Sequence, residues 1–584
     1  MAANMVKVTV DGTAVEVPDN ANALEACRAA GVDVPHFCYH PRFSIVGQCR
    51  MCMVEIDGAP KVQASCTVPV RGGMVIRASS EKALAARNAT MEFLLINHPL
   101  DCPICDQAGE CQLQDNAVAG GLPVSRTSEP RRQFPGYDRT SIGPHVIADM
   151  TRCIQCTRCI RFCNEIAGTG ELTFIERGGH TMVWTHEGHQ LDNEWSACAA
   201  DVCPVGALTT KEFRFRKRVW WLKKTASVCP GCEIGCNISI EHREQVVHRF
   251  LPRVNLEVND FWICDHGRFL AESLNGGDFL KPLVPEGTLK TSAPEGTLKT
   301  SAPDGKGRRE TNWGEALGLV VQKVKGAKPS AVLALGSANL STEENWLLAE
   351  LFGKTVGTPH VELDADQGPL RRIRNPKAIG ADGGFLKGTV AAPNARGAEA
   401  AGVRKASGES ALGRLLTGSL VPDVLYVADA AFSARTADPA FVAKLRKAKF
   451  LVVHARTRNA LTDVADVVFP VSALTGKDGS FVNVQGRIQR FDVAFVPPPI
   501  VKTDLEVLLH LGQRFGVFET RWTTADVFGK LAASVPAYHG LAWDDPVVVG
   551  LPPSVSPAAA YDVLQAPRTS VDDTDKLPAV AGKA

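Results

Sequence analysis

The chain has 584 residues, 45% of them hydrophobic and 22% charged; the length calls for two to four hydrophobic cores, and the composition excludes a mainly disordered or fibrous protein. Its 64 basic and 63 acidic residues leave a formal net charge of +1, which argues against a dedicated nucleic-acid binder. No apolar run approaches the roughly 18 residues of a membrane span. The opening segment enters an alternating strand without the apolar core of a signal peptide, so the chain is expected to stay in the compartment of its synthesis.

Alternation over residues 6–10 and 15–17 around Asp11-Gly12 predicts two strands and a turn, followed by a short helix over 21–30. The cysteines come next. All eighteen lie at or before Cys264, in tight clusters, a distribution unlike a secreted disulfide scaffold and suited to metal in a reducing compartment. Cys38, Cys49, Cys52 and Cys66 follow the strand–helix unit, as in a β-grasp ferredoxin that holds a [2Fe–2S] centre, although the first gap is longer than in the plant-type pattern. A zinc site is the competing reading. Cys27, on the helix, is expected to pack in the core.

The second set, His98, Cys102, Cys105 and Cys111, follows a helix end at residues 91–97. Three closely spaced thiolates can seat three corners of a cubane, and the histidine can reach the fourth iron, its other ring nitrogen donating to a carbonyl, carboxylate or water. Cys153, Cys156, Cys159 and Cys163 repeat the bacterial ferredoxin run, whose fourth cysteine ordinarily serves a second cluster. The matching positions of a second run hold Asn193, Ser196 and Ala199, so one cubane is expected, from Cys153, Cys156, Cys159 and Cys203. Cys163 and Cys198 then read as packed free thiols. Cys229, Cys232, Cys236 and Cys264 form a fourth set adequate for a cubane. Triplets of this kind favour iron–sulfur over the paired knuckles of zinc.

These four sets resemble those of the large iron–sulfur subunits of proton-pumping NADH:quinone oxidoreductase, respiratory complex I. The segments 150–162 and Cys203-Pro-Val-Gly-Ala-Leu-Thr carry the likeness further. Residues 465–470 and 478–489 resemble the molybdopterin-oxidoreductase-type domain of the same family. The resemblance implies one [2Fe–2S] and three [4Fe–4S] clusters, the second with one histidine ligand and the fourth off the electron path. It also implies a conductor without a catalytic centre of its own, fed by an NADH- and FMN-binding flavoprotein and discharging to other iron–sulfur subunits. Such a chain sits peripherally on the cytoplasmic side of the bacterial inner membrane, reaching membrane only through the complex. A subunit of a soluble NAD-linked hydrogenase or formate dehydrogenase is the alternative, and a zinc-stabilised scaffold is the alternative of another class.

The fold class expected is an α+β ferredoxin-like N-terminal part, β-grasp plus cubane-cluster domains, followed by an α/β molybdopterin-oxidoreductase-like domain. The divisions expected are 1–80 for the β-grasp, 81–120 and 121–218 for the second and third sets, 219–275 for the fourth, 276–550 for the α/β domain and 551–584 for a mobile tail. Residues 211–224 alternate Phe and Arg and read as a half-buried strand or subunit-contact linker, with nucleic-acid binding a poor alternative. A nine-residue tandem duplication at 285–302 reads as an exposed inserted loop. Beyond it, apolar runs at 331–335, 424–428 and 450–454 and a capping box at Ser341 and Glu344 predict a doubly wound layer. With no cysteine after Cys264, a cysteine-ligated molybdenum is excluded there, and the domain is expected to hold no cofactor.

Overall fold

The computed structural model describes residues 4–122, 124–286, 307–364, 392–545 and 548. Most of the duplicated loop and the tail from 551 onward lie outside the described residues. Met5–Val10 and Thr13–Pro18 form an antiparallel hairpin; Asp11 and Gly12 both take positive φ, which the tight turn requires. Met5–Val10 pairs in parallel with Val75–Arg77, and Met53–Ile56 and Gln63–Ala64 complete a five-stranded sheet. The helix Ala23–Ala29, started by a reciprocal Asn22–Glu25 capping box, buries Leu24, Ala26 and Cys27 against it. This is the β-grasp arrangement.

A 17-residue helix, Glu81–Asn97, carries the chain away from that sheet and stops at His98, whose extended backbone opens the second cysteine loop. The third cysteine segment lies between a three-stranded sheet (Leu208–Thr210, Val146–Ala148, Thr140–Ser141) and the hairpin Leu172–Ile175/Met182–Thr185. The fourth is borne by an antiparallel sheet of Lys223–Val228, Asn237–Arg243 and Val246–Pro252. Phe37, Cys111, Cys156, Phe162, Cys203 and Trp262, drawn from all four segments, belong to one apolar cluster.

The C-terminal part is an eight-stranded sheet whose six parallel strands run in the order Arg404–Lys405, Val361–Leu363, Val332–Leu335, Val424–Val427, Leu451–Ala455, Val467–Pro470. In chain order that is 3-2-1-4-5-6, the doubly wound arrangement. The strands at 332, 424 and 451 are buried throughout, as a sheet covered on both faces demands. The Ser341–Glu344 capping box forms as expected and starts Thr342–Leu348.

The strand expected within 211–224 does not form. Phe213 is buried under the Arg249 guanidinium, 3.9 Å from its ring centre, while Phe215 is exposed at a left-handed φ of 61°. The Phe215 N–H donates to Asp106 at 2.9 Å, and a single 3-10 turn, Val219–Trp221, follows. Tertiary partners for individual side chains override so short an alternation.

Candidate iron–sulfur centres

The first set is gathered in the loop between helix and sheet. Cys38, Cys52 and Cys66 are buried, and the Cys38 N–H donates to the Cys49 sulfur at 3.4 Å. Hydrogen bonds from the Cys49 and Cys66 thiols hold Cys38 down to about 2, marking it as the thiolate of the group. Arg50, inside the loop, is held at a left-handed φ of 58°.

In the second set, Cys105 and Cys111 are buried and Cys102 is exposed. Burial holds His98 down to about 4, so the ring is neutral and able to ligate. It donates to the Arg152 carbonyl, the kind of partner that fixes the tautomer of a ligating histidine. The Arg152 guanidinium, also buried, pairs with Asp101 at 2.8 Å and Asp149 at 3.4 Å.

The third set lines a small cavity: Cys153, Cys156, Cys159 and Cys203 all face it, with Met150, Val183 and Val205. Gln155 and Thr157 are both left-handed (φ 54° and 64°), which costs roughly 1–2 kcal/mol each in non-glycine residues and is the kind of strain found at functional loops. The result is a loop wrapped over its own sulfurs, with the Gln155 N–H donating to Cys153 at 3.3 Å. Cys163 does not line this cavity; it is fully buried in the π-helical turn Phe162–Ala167. Cys198 is likewise buried, its thiol donating to the Ile263 carbonyl at 3.2 Å, and burial pushes Cys27 and Cys163 up to about 12.

In the fourth set Cys229, Cys232, Cys236 and Cys264 raise one another's thiols, after burial, the largest cause. The Cys229 N–H donates to the Cys236 carbonyl at 2.8 Å and the Gly267 N–H to the Cys264 sulfur at 3.4 Å. A Cβ on Gly267 would lie 2.8 Å from the Cys229 sulfur, so the glycine leaves that sulfur its room.

Among the described residues no three His, Cys, Asp or Glu side chains are drawn close enough to hold a single metal ion. The donor sets suit sulfide cages, which space their ligands more widely: buried thiols, one neutral imidazole, backbone N–H groups aimed at sulfur, and glycines where sulfur needs space.

The sets are not arranged in chain order. Arg161 donates to the carbonyls of Cys38 and Cys156, the latter at 3.3 Å, and Arg158 to that of Tyr39 at 2.6 Å, which ties the first set to the third. The segment after Cys203 ties the third to the second: the Cys111 thiol reaches the Pro204 carbonyl at 3.8 Å, and a Cβ on Gly206 would stand 2.2 Å from the Cys105 sulfur. The third set therefore lies between the other two. The fourth is braced from the C-terminal part, where Asn483 donates to the Ile234 carbonyl at 3.3 Å and Gln489 to that of Gly235 at 2.8 Å. These bracing residues, with Arg152, Arg158, Arg161 and Gly206, had no role assigned from sequence. Gly206 alone carried a local signal, a glycine within a Cys-Pro-x-Gly turn.

Five family models match the chain. They are a 2Fe-2S iron-sulfur cluster binding domain over residues 3–81, the NADH-ubiquinone oxidoreductase-G iron-sulfur binding region over 87–126, the NADH-quinone oxidoreductase subunit 3 ferredoxin-like domain over 143–209, the NADH-ubiquinone oxidoreductase NDSU1/NuoG-like 4Fe-4S domain over 222–272 and molybdopterin oxidoreductase over 375–514. The NuoG-type NADH-quinone oxidoreductase subunit of Rickettsia felis is 42% identical over 350 residues, 60% of this chain and 49% of the relative. The chain is a NuoG homologue. The mitochondrial NADH dehydrogenase (ubiquinone) iron-sulfur protein 1 of Solanum tuberosum, in the same group of relatives, is 40% identical over 352 residues, 60% of this chain and 45% of that one. The chain spans about half the length of the curated relatives it matches. An NAD+-reducing [NiFe]-hydrogenase structure overlaps 37% of this chain and 91% of its own, at 31% identity and a TM-score of 0.33. As a NuoG homologue the chain thus has 2Fe-2S and 4Fe-4S ferredoxin-like domains followed by a molybdopterin oxidoreductase domain, and among the described residues no helix is long and apolar enough to cross a membrane.

Proposed function

We propose that this chain is an electron-transfer subunit of a proton-pumping NADH:quinone oxidoreductase and relays electrons through one [2Fe–2S] and three [4Fe–4S] clusters. Cys38, Cys49, Cys52 and Cys66 hold the first; His98, Cys102, Cys105 and Cys111 the second; Cys153, Cys156, Cys159 and Cys203 the third; Cys229, Cys232, Cys236 and Cys264 the fourth. Bound clusters supply one-electron redox chemistry with little change of geometry. The chain's own part is to keep the sets close and dry. The observation that carries this reading is the first–third–second adjacency, through Arg161 on one side and Pro204–Gly206 on the other.

Electrons enter from an NADH-oxidising flavoprotein on the side of the first set, and leave at the second. There Cys102 is exposed beside Leu100 (79% exposed) and Ile104, with Trp220 packed over Gly109 close by and 58% exposed. Such an apolar rim is a surface that a further iron–sulfur subunit covers. The fourth set stands outside this line, and the assembly is peripheral on the cytoplasmic side of the bacterial inner membrane.

The test is metal and sulfide analysis of the anaerobically purified protein with EPR of its reduced form, followed by Cys156→Ala. About fourteen irons per chain are expected, two plus three fours from the cluster types. The variant should lose quinone reduction while NADH oxidation by an artificial acceptor at the flavoprotein persists. Stoichiometric zinc, or a variant that conducts normally, would refute the proposal.

A further inference from the structure

A cavity of about 170 Å³ lies among residues 106–110 of the second segment, 200–213 of the third, and the sheet and helix that flank the fourth. Five cations line it, Arg216, Lys224, Arg249, Arg253 and Arg268. Four have carboxylate partners. Arg249 takes Glu110 through two bonds at 2.9 and 2.7 Å and Glu241 at 2.7 Å; Arg268 pairs with Asp201, Arg216 with Glu272 at 3.5 Å, and Lys224 with Glu241 at 3.8 Å.

Arg253 is different. Its Nε and Nη2 are both closed off from solvent and have no hydrogen-bond partner among the described residues. The one acid whose charge acts on it, Asp492, is engaged by Arg490 at 3.2 Å. The backbone at Arg253 is fixed, its N–H donating to the Asn237 carbonyl at 2.9 Å and its carbonyl accepting from Asn259 at 3.2 Å, so the side chain is held in place at the cavity wall. A guanidinium shut away from water without an acceptor is costly, and native structures keep one where something else supplies the acceptor. The two vacant donors are the side-on edge of the guanidinium, where Nε–H and one Nη–H run parallel at the spacing of two oxygens on one carbon or phosphorus. The volume resembles the ~150 Å³ cavity that accepts benzene, so the occupant is small. Phe250, Phe261 and Trp262 give it apolar walls.

We propose that this cavity is a binding site for a small oxyanion, a carboxylate or phosphate group gripped side-on by Nε and Nη2 of Arg253. Nothing in the electron relay uses Arg253, and the site stands whether or not that relay is as described above.

The test is isothermal calorimetry on the oxidised, cluster-loaded protein, kept anaerobic, in buffer free of phosphate and carboxylate at ionic strength fixed with chloride. Inorganic phosphate and acetate are titrated separately. One saturable site per chain is expected for at least one of them; phosphate alone marks a phosphate site, acetate alone a carboxylate site, and both mark the shared chemistry. Arg253→Gln should weaken binding at least tenfold. Arg253→Lys, which keeps the charge without the fork, should weaken it as well, and decides the matter if the glutamine variant does not fold. Arg216→Gln, at a cation that is already paired, should bind normally. No saturable response in the wild type, meaning water alone in the cavity, overturns the proposal. So does equal binding by wild type and Arg253→Gln, meaning an adventitious ion only, and so does undiminished binding by Arg253→Lys.

Discussion

Arg152 stands between the second and third ligand sets, and replacing it with methionine removes its charge while keeping most of its bulk. In the native chain the guanidinium side chain is 2% exposed and pairs with Asp101 and Asp149, whose side chains are 28% and 5% exposed. Deleting one partner of a buried pair costs about 3–5 kcal/mol, because the other charge stays buried. Water reaches Asp101 and relieves its share, which leaves Asp149 as the main orphan and puts the expected loss of stability near the low end, about 3 kcal/mol. The same charge bears on the clusters. At an effective dielectric near 20, a unit charge about 8 Å away is worth roughly 2 kcal/mol, or roughly 90 mV for a one-electron couple. In the native chain the two aspartates offset part of this; in the variant, losing the cation and leaving the carboxylates push the same way. Both disfavour the more negative, reduced cluster. The midpoint potentials of the second and third clusters should therefore fall by several tens of millivolts, with those of the first and fourth unmoved, and Arg152→Lys should restore most of the difference. The assay is an EPR-monitored redox titration of the purified variants alongside denaturant unfolding. Intact signals at unchanged potentials, or an equal fall at all four clusters, would refute the electrostatic argument; a stability loss under about 1 kcal/mol would refute the ion-pair argument.

Three further outcomes follow from single positions. Gly206→Ala puts a Cβ 2.2 Å from the Cys105 sulfur and 3.2 Å from Gln107, so it should displace the second set. Iron analysis should then fall by about four irons and one EPR signal should vanish, whereas full iron content would show that the turn accommodates the methyl. Cys163→Ala should leave iron content unchanged and cost about 1 kcal/mol as a small cavity in the core; loss of a cubane would mean that Cys163, not Cys203, completes the third set. Burial pushes Glu343, whose side chain accepts from the Ser480 N–H at 2.9 Å, up to about 7 from an ordinary 4.5. Between those values the unfolded chain has lost the proton that the folded chain keeps, so stability should fall as pH rises from about 4.5 to 7, by roughly 3 kcal/mol in all, and then level off. Denaturant unfolding at pH 5 and 7.5 should find that slope in the wild type and a flatter one in Glu343→Gln, and equal slopes would contradict the buried-acid account.

The ligand sets were legible because most ligands of one cage come from one short loop, and a loop can close on a cage only at a few spacings. The same holds for the Ser341–Glu344 box, whose two hydrogen bonds span three residues, and for the buried strands, which announce themselves by composition. What could not be read is whatever depends on contacts between distant segments. Val332–Leu335 and Val424–Val427 are each recognisable as strands, yet nothing local tells them to lie side by side. Phe213 and Phe215 have the same local pattern, and one is buried only because Arg249, from another strand, covers it. The order of the clusters falls under the same rule. In the chain the sets run first, second, third; in space the third stands between the others, because Arg158 and Arg161 turn one side of its loop toward Cys38 and Tyr39 while Cys203, its ligand from far along the chain, brings Pro204 and Gly206 against the second set. The late ligand is thus the hinge of the arrangement: a third set closed by the nearby Cys163 would have no covalent reason to carry the Pro204–Gly206 turn toward Cys105 and Cys111. Adjacency between cages, the property on which conduction depends, is written in which cysteine the loop leaves out.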